Sequence, residues 1–160
     1  MRHLALVLLL FLGACGFQLR GSYPLPFETL YIALPEASEL HAVLKRAVIA
    51  GSSAKVVSSP AQADATLTVL GDGLAKNVLS ITAAGRAREF QLVRSFSFRV
   101  VTKDGRDWLP PNQIVLRRDI SFNDDQVLSK ESEEVLLWRD IQNDLVQQVL
   151  RRLSTAKPPA

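Results

Sequence analysis

Two stretches of strict alternation, followed by a change to helical period, limit what this chain can fold into. Within residues 86–102, Phe90, Leu92, Phe96, Phe98 and Val100 share one parity; within 113–122, Ile114, Leu116, Ile120 and Phe122 do the same. A period of two belongs to strands with one face in a core. Lys103-Asp104-Gly105-Arg106 carries the Asp-Gly signal of a tight hairpin, and Pro110-Pro111 widens the connection before the second strand. From residue 127 to 153 the period becomes helical: Trp138, Ile141, Leu145, Val149 and Leu153 line one face, which Leu137, Val146 and Leu150 widen. Acidic Glu131, Glu133 and Glu134 come early and basic Arg151 and Arg152 late, as the helix dipole favours.

The first half supplies the remaining elements. Residues 27–34 (FETLYIAL) are aromatic and β-branched and stop at Pro35, the pattern of a strand. In 38–50, Leu40, Val43, Leu44, Ala47 and Val48 form one apolar helical stripe, ended by Gly51. A short strand can start at Val56-Val57. Residues 65–70 are a firmer strand, bent or bulged at Gly71-Asp72-Gly73 and continued over 74–82. Ala83-Ala84-Gly85 makes a turn, and Asn123-Asp124-Asp125 offers caps for the last helix. Two helices with one apolar face each and a sheet with one apolar parity predict an α+β two-layer sandwich. Both helices are expected on one face of a mostly antiparallel four-stranded sheet, in a single domain over 27–153. Residues 154–160, with two prolines, read as a disordered tail.

The first 22 residues say where such a domain works. Met1-Arg2-His3, an apolar run over 4–12 and Gly13-Ala14 make a secretory signal peptide, too short to span a bilayer. Leu12-Gly13-Ala14-Cys15 has the lipobox order: an aliphatic residue, two small ones and a cysteine whose sulfur accepts diacylglycerol. Cleavage removes 1–14 and leaves Cys15 acylated, with 15–26 as a tether containing two glycines and two prolines. Three acyl chains exceed what stable anchoring requires. Glycine rather than aspartate at position 16 points to the outer membrane. Cys15 is the only cysteine, so no disulfide is expected.

Catalytic chemistry finds little material. Without His3 the mature chain has one histidine, His41, expected on the solvated side of the first helix. No His, Cys and carboxylate grouping has metal-ligand spacing, and no cofactor is implied. The pairs Asp124/Asp125, Glu131/Glu134 and Asp140/Asp144 fall at a cap and along an exposed helix face rather than across a cleft. Gly71-Asp72-Gly73 lacks the Gly-Lys-Ser/Thr of a phosphate loop. Without Arg2 the chain has 18 basic against 16 acidic side chains, too even a balance for nucleic acid. An enzyme is not expected.

The arginines are better placed for binding. Arg86 and Arg88 follow the Gly85 turn, Arg94 interrupts the apolar parity of its strand, Arg117-Arg118 lie mid-strand opposite, and Lys130 opens the last helix. Guanidinium forks suit phosphates and carboxylates, although arginine stems also serve simply to cover apolar surface. On a membrane-tethered module they make an anionic lipid headgroup a reasonable ligand.

Residues 15–21 (CGFQLRG) resemble the mature start of the LptE family, the lipopolysaccharide-assembly lipoproteins of Gram-negative outer membranes. The similarity continues at 85–92 (GRAREFQL), in the block from Phe122 through 125–131 (DQVLSKE), and at 150–153 (LRRL). The resemblance implies a two-helix, four-strand sandwich that plugs an LptD-type β-barrel, helps it assemble and binds lipopolysaccharide. The domain would face the periplasm or lie inside the barrel. Lys130 matches a basic position of the family. Other members carry a basic residue just before the turn glycine, where this chain has Ala83-Ala84, with Arg86 and Arg88 after it. Arg86, Arg88 and Lys130 are therefore the candidates for the lipopolysaccharide headgroup, and Cys15 the lipid attachment site. Two other readings share these residues. A stand-alone lipoprotein could bind an anionic lipid or glycan without a barrel, and a lipoprotein hydrolase is disfavoured by the single histidine.

Overall fold

The computed structural model describes residues 23–122 and 127–158, with Val127 described in its backbone alone. The signal segment, Cys15, the start of the tether and the capping residues Asn123 to Asp125 lie outside the described residues. The elements run β1 (Thr29–Ala33), α1 (Glu39–Gly51), β2 (Lys55–Val57), a 3-10 turn (Pro60–Gln62), β3 (Ala65–Ile81), β4 (Ala87–Thr102), β5 (Asp107–Ser121) and α2 (Val127–Ser154).

The α+β sandwich is present, but the sheet corrects the sequence expectation. It has five strands in the order β2-β1-β3-β4-β5 and is mixed: β1 runs parallel to both β2 and β3, and only β3, β4 and β5 form the antiparallel part. The reason lies in α1. A helix crossing over between β1 and β2 returns the chain to the end from which β1 started, and the two strands must then be parallel. β2, only three residues long, is too brief for parity to reveal.

Local chemistry sets the boundaries. Ser38 caps α1, its hydroxyl accepting from the His41 amide at 3.1 Å. Both hairpins turn on glycines with positive φ, Gly85 at 77° and Gly105 at 82°. In each, a threonine carbonyl three residues earlier accepts the glycine amide: Thr82 at 2.9 Å and Thr102 at 3.0 Å. β3 is one strand rather than two pieces, because the extra residue, Leu70, is taken up as a bulge between Val69 and Gly71. β5 starts six residues earlier than the second alternating stretch. It carries Pro110-Pro111 through an irregularity opposite Arg99, tolerable on an edge strand that needs no outward amide there. The last helix takes in Ser154, and Ala156 beyond it is buried, so packing extends past the expected domain end at Leu153.

The core fills the space between the helices and one sheet face. Leu92, Phe96, Phe98 and Val100 of β4 are fully buried, with Ile114, Leu116 and Ile120 of β5 beside them. α2 contributes Ile141, Leu145, Val149 and Leu153, and α1 contributes Leu40, Leu44 and Val48. His41 does not sit on a solvated face: it is 8% exposed, because the buried arc of α1 is wide enough to include the residue next to Leu40.

One charged side chain shares the core parity. Arg94 is 7% exposed and donates from Nε and Nη2 to both oxygens of Asp72 on β3, at 2.9 and 2.8 Å. Its Nη1 donates to Gln142 on α2 at 3.3 Å, and Gln142 donates in turn to Glu39 at the start of α1, at 2.9 Å. A bidentate guanidinium–carboxylate pair with a further acceptor is what a buried charge requires. Arg94→Ala leaves Asp72 and Gln142 without their donor. It should destabilise the domain by about 2–4 kcal/mol, read from urea unfolding.

At the opposite end of the sheet Asp64 ties the start of β3 to β1. Its carboxylate accepts from the Thr29 amide at 2.9 Å and the Thr29 hydroxyl at 2.7 Å, and its own amide donates back to that hydroxyl at 2.8 Å. The Thr29 hydroxyl, more than any other group, holds the carboxyl below the usual carboxylate range. A carboxyl lowered by folding contributes stability that is complete above its unfolded value of about 3.9 and is lost as pH falls through the lower folded value. The melting temperature of the unsubstituted protein should therefore exceed that of Asp64→Asn near neutrality, with the gap closing below about pH 4.

Candidate functional site

The sequence candidates Arg86 and Arg88 lie at the β3–β4 hairpin, and Lys130 lies near the start of α2. Arg86 closes the β3–β4 turn, its carbonyl accepting from the Thr82 amide at 2.7 Å and its amide donating to the Thr82 hydroxyl at 3.2 Å. Both Arg86 and Arg88 are exposed. The Arg88 carbonyl accepts the Phe122 amide at 2.7 Å, which binds the residue just after β5 to the base of this hairpin. Lys130 follows in the first turn of α2. Its ammonium lies 2.8 Å from Glu133, and its side chain is 17% exposed. A backbone bond thus joins the hairpin that carries Arg86 and Arg88 to the end of β5.

A fourth cation, Lys76 on β3, belongs to the same end and was not singled out from the sequence. Its ammonium lies 4.5 Å from the Phe90 ring centre and 4.8 Å from that of Phe122. Those two rings meet edge to face at 5.1 Å. Glu134 of α2 closes the arrangement at 2.6 Å. The signal was hidden by the bulge: Leu70 shifts β3 by one residue, so that the even positions beyond it, Asp72 and Lys76 among them, face the helices.

Two other arginines are committed elsewhere. Arg94 serves the core pair described above. Arg118 pairs with Asp140 at 2.8 Å and Asp144 at 3.2 Å on α2. The hydrogen bond that Arg118 donates to Asp140, the largest influence, raises the guanidinium above its usual value. The Asp140/Asp144 pair is thus a clamp between β5 and α2, not two carboxylates facing across a cleft. Among the described residues no group of three or more His, Cys, Asp or Glu could hold a metal ion. No described helix is long and apolar enough to cross a membrane.

The candidate end lies far from where the described chain begins. Tyr23 donates from its amide to the Gly51 carbonyl at 2.6 Å and from its hydroxyl to Gln147 at 3.2 Å. Gly51 ends α1, which returns to the end of the sheet where β1 and β3 start, because Lys55 donates to Glu28 just before β1. The 83–86 turn sits at the other end of β3, whose 17 residues extend about 50 Å.

Known proteins resemble this chain over most of its length. The model of the LptE family, described as lipopolysaccharide-assembly, matches residues 27–153. The LPS-assembly lipoprotein LptE of Yersinia enterocolitica is 31% identical, over 96% of this chain and 77% of its own length. That of Yersinia pestis strain Pestoides F is also 31% identical, over 97% and 78%. The solution structure of lipoprotein B from Nitrosomonas europaea superposes with a TM-score of 0.75 at 36% identity, covering 87% of this chain and 90% of that one. Rare lipoprotein B from Shewanella oneidensis shares the fold, with a TM-score of 0.65 at 22% identity over 79% and 94%. A family match spanning the whole sandwich, with relatives aligned almost end to end, places the chain in the LptE family of lipopolysaccharide-assembly proteins.

Proposed function

We propose that this protein is an outer-membrane lipoprotein, held by acyl chains on Cys15, that works with an LptD-type β-barrel to assemble lipopolysaccharide at the cell surface. In this reading the sandwich plugs and stabilises the barrel and binds lipopolysaccharide through Arg86, Arg88 and Lys130. It acts as a non-enzymatic accessory subunit. The ligand site draws support from the exposed Arg86 and Arg88 on the hairpin at the end of β3 away from Tyr23, with Lys76 on the same strand and Lys130 near the start of α2. Phosphates of a lipid headgroup would meet several cations there at once.

The barrel partner draws support from the apolar surface of the same half. Leu128, Val135 and Leu136 of α2 are 81%, 59% and 59% exposed, unusual for one stretch of a helix whose later turns are buried. Acylation at Cys15 would hold the chain on the membrane while the sandwich reaches away from it.

Two outcomes are expected. Affinity purification of the acylated protein from solubilised outer membranes should retain a large β-barrel; recovery of the protein alone under mild detergent would overturn the barrel reading. The triple variant Arg86→Ala, Arg88→Ala, Lys130→Ala should bind lipopolysaccharide more weakly in a direct assay while keeping its melting temperature within a few degrees. Unchanged binding would move the ligand to another part of the surface.

A further inference from the structure

Lys130 and Lys76 each already hold a carboxylate, and the two carboxylates are neighbours on α2. Glu133 lies 2.8 Å from the Lys130 ammonium, and Glu134 lies 2.6 Å from that of Lys76. The first is the common pairing of residues three apart on a helix. The second is not local: it joins β3 to α2, and it exists because the bulge at Leu70 turns Lys76 toward the helices. Phe90 and Phe122 hold the same ammonium, their ring centres 4.5 and 4.8 Å away. Rings attract a cation through their faces and carry no net charge of their own. They fix where the ammonium stands whether or not Glu134 is beside it. Phe122 is bonded through its amide to the Arg88 carbonyl, so this ring platform is built onto the strand that carries Arg88.

We propose that Lys76 is a further ligand of the lipopolysaccharide headgroup and that Glu134 occupies its place until a phosphate displaces it. The inference rests on the headgroup reading above and adds to it both a residue and a condition for binding. The pair is placed for exchange. The Lys76 side chain is 35% exposed and that of Glu134 21%, so an anion from solution can reach the ammonium. A pair this open to water is weakly held. A phosphate monoester brings up to about two negative charges and three acceptor oxygens against the single charge of a carboxylate. It therefore takes the ammonium, and Glu134 turns to water. Sugar hydroxyls and zwitterionic headgroups have no net charge to set against the carboxylate, and Glu134 holds Lys76 against them.

The fold does not depend on the pair that is given up. The side chains that α2 buries in the core begin at Ile141, and Val135, next to Glu134, is 59% exposed. Glu134 can swing away without opening the core. Glu133 stands in the same relation to Lys130, so each of the two lysines yields only to a group of greater charge than a carboxylate.

The test measures lipopolysaccharide binding to the full acylated protein in mild detergent. Glu134→Gln keeps the size and helix preference of the side chain and removes its charge. It should tighten binding about threefold or more, as the loss of a weak competing ion pair allows. Glu131→Gln removes the same charge from an exposed position three residues earlier and should change affinity by less than about twofold. Lys76→Gln should weaken binding about threefold or more, and adding Glu134→Gln to it should bring no recovery. Lipopolysaccharide stripped of its phosphates should bind Glu134→Gln and the unsubstituted protein alike. An unsubstituted protein that does not bind lipopolysaccharide overturns the headgroup reading and this inference with it. Binding that is indifferent to Glu134→Gln, that rises equally with Glu131→Gln, or that still gains from Glu134→Gln in the absence of Lys76 overturns this inference alone. The comparison of Glu134→Gln with Glu131→Gln decides the matter even where Lys76→Gln lowers the melting temperature.

Discussion

The inward row of β4 sets terms that the other elements have to meet. Leu92, Phe96, Phe98 and Val100 are wholly removed from water, each side chain favoring that state by about 1.5–3 kcal/mol. β4 has a strand on both sides, so cover can come only from above one face, and neither helix alone is wide enough to provide it. α1 and α2 therefore lie side by side, joined across their seam by the bond from Gln142 to Glu39. The opposite face of β4 carries Ser95 and Ser97, which require no such cover.

Arg94 in that same row is a departure from hydrophobic economy. A buried ion pair recovers its desolvation cost only when its geometry is good and its spare donors are used, and here both conditions hold. The consequence is positional. The chain of bonds from Asp72 through Arg94 and Gln142 to Glu39 touches β3, β4, α2 and α1, and it is satisfied in one relative placement of the four. Apolar packing would tolerate small sliding of the helices. This network does not.

Much of this was legible in the alternation itself. The parities of β4 and β5 and the apolar stripes of α1 and α2 each record a burial demand local to one element, and the structure meets each demand. What escaped depended on other elements. The parallel pairing of β1 follows from where α1 delivers the chain, and β2 is too short to show a period. His41 is buried because α1 is approached over a wide arc, which a one-stripe reading underestimates. Lys76 was missed because a single bulged residue exchanges the two faces of β3. The hairpin cations Arg86 and Arg88 could be singled out, since a turn glycine fixes them locally. The bond that ties their hairpin to the end of β5, from Phe122 to Arg88, joins residues more than thirty apart in the chain and leaves no local signal.

Arg118 and Arg152 set guanidiniums on the carbonyls of Arg117 and Gln113 along β5, and this bears on how the sheet behaves when many copies of a chain are crowded together. A lipoprotein confined to a membrane surface meets its own kind far more often than a dissolved protein does. A sheet open on both sides would then be a template for endless stacking, the route to fibres. With β5 sealed by arginine and proline, strand addition has one direction in which to proceed.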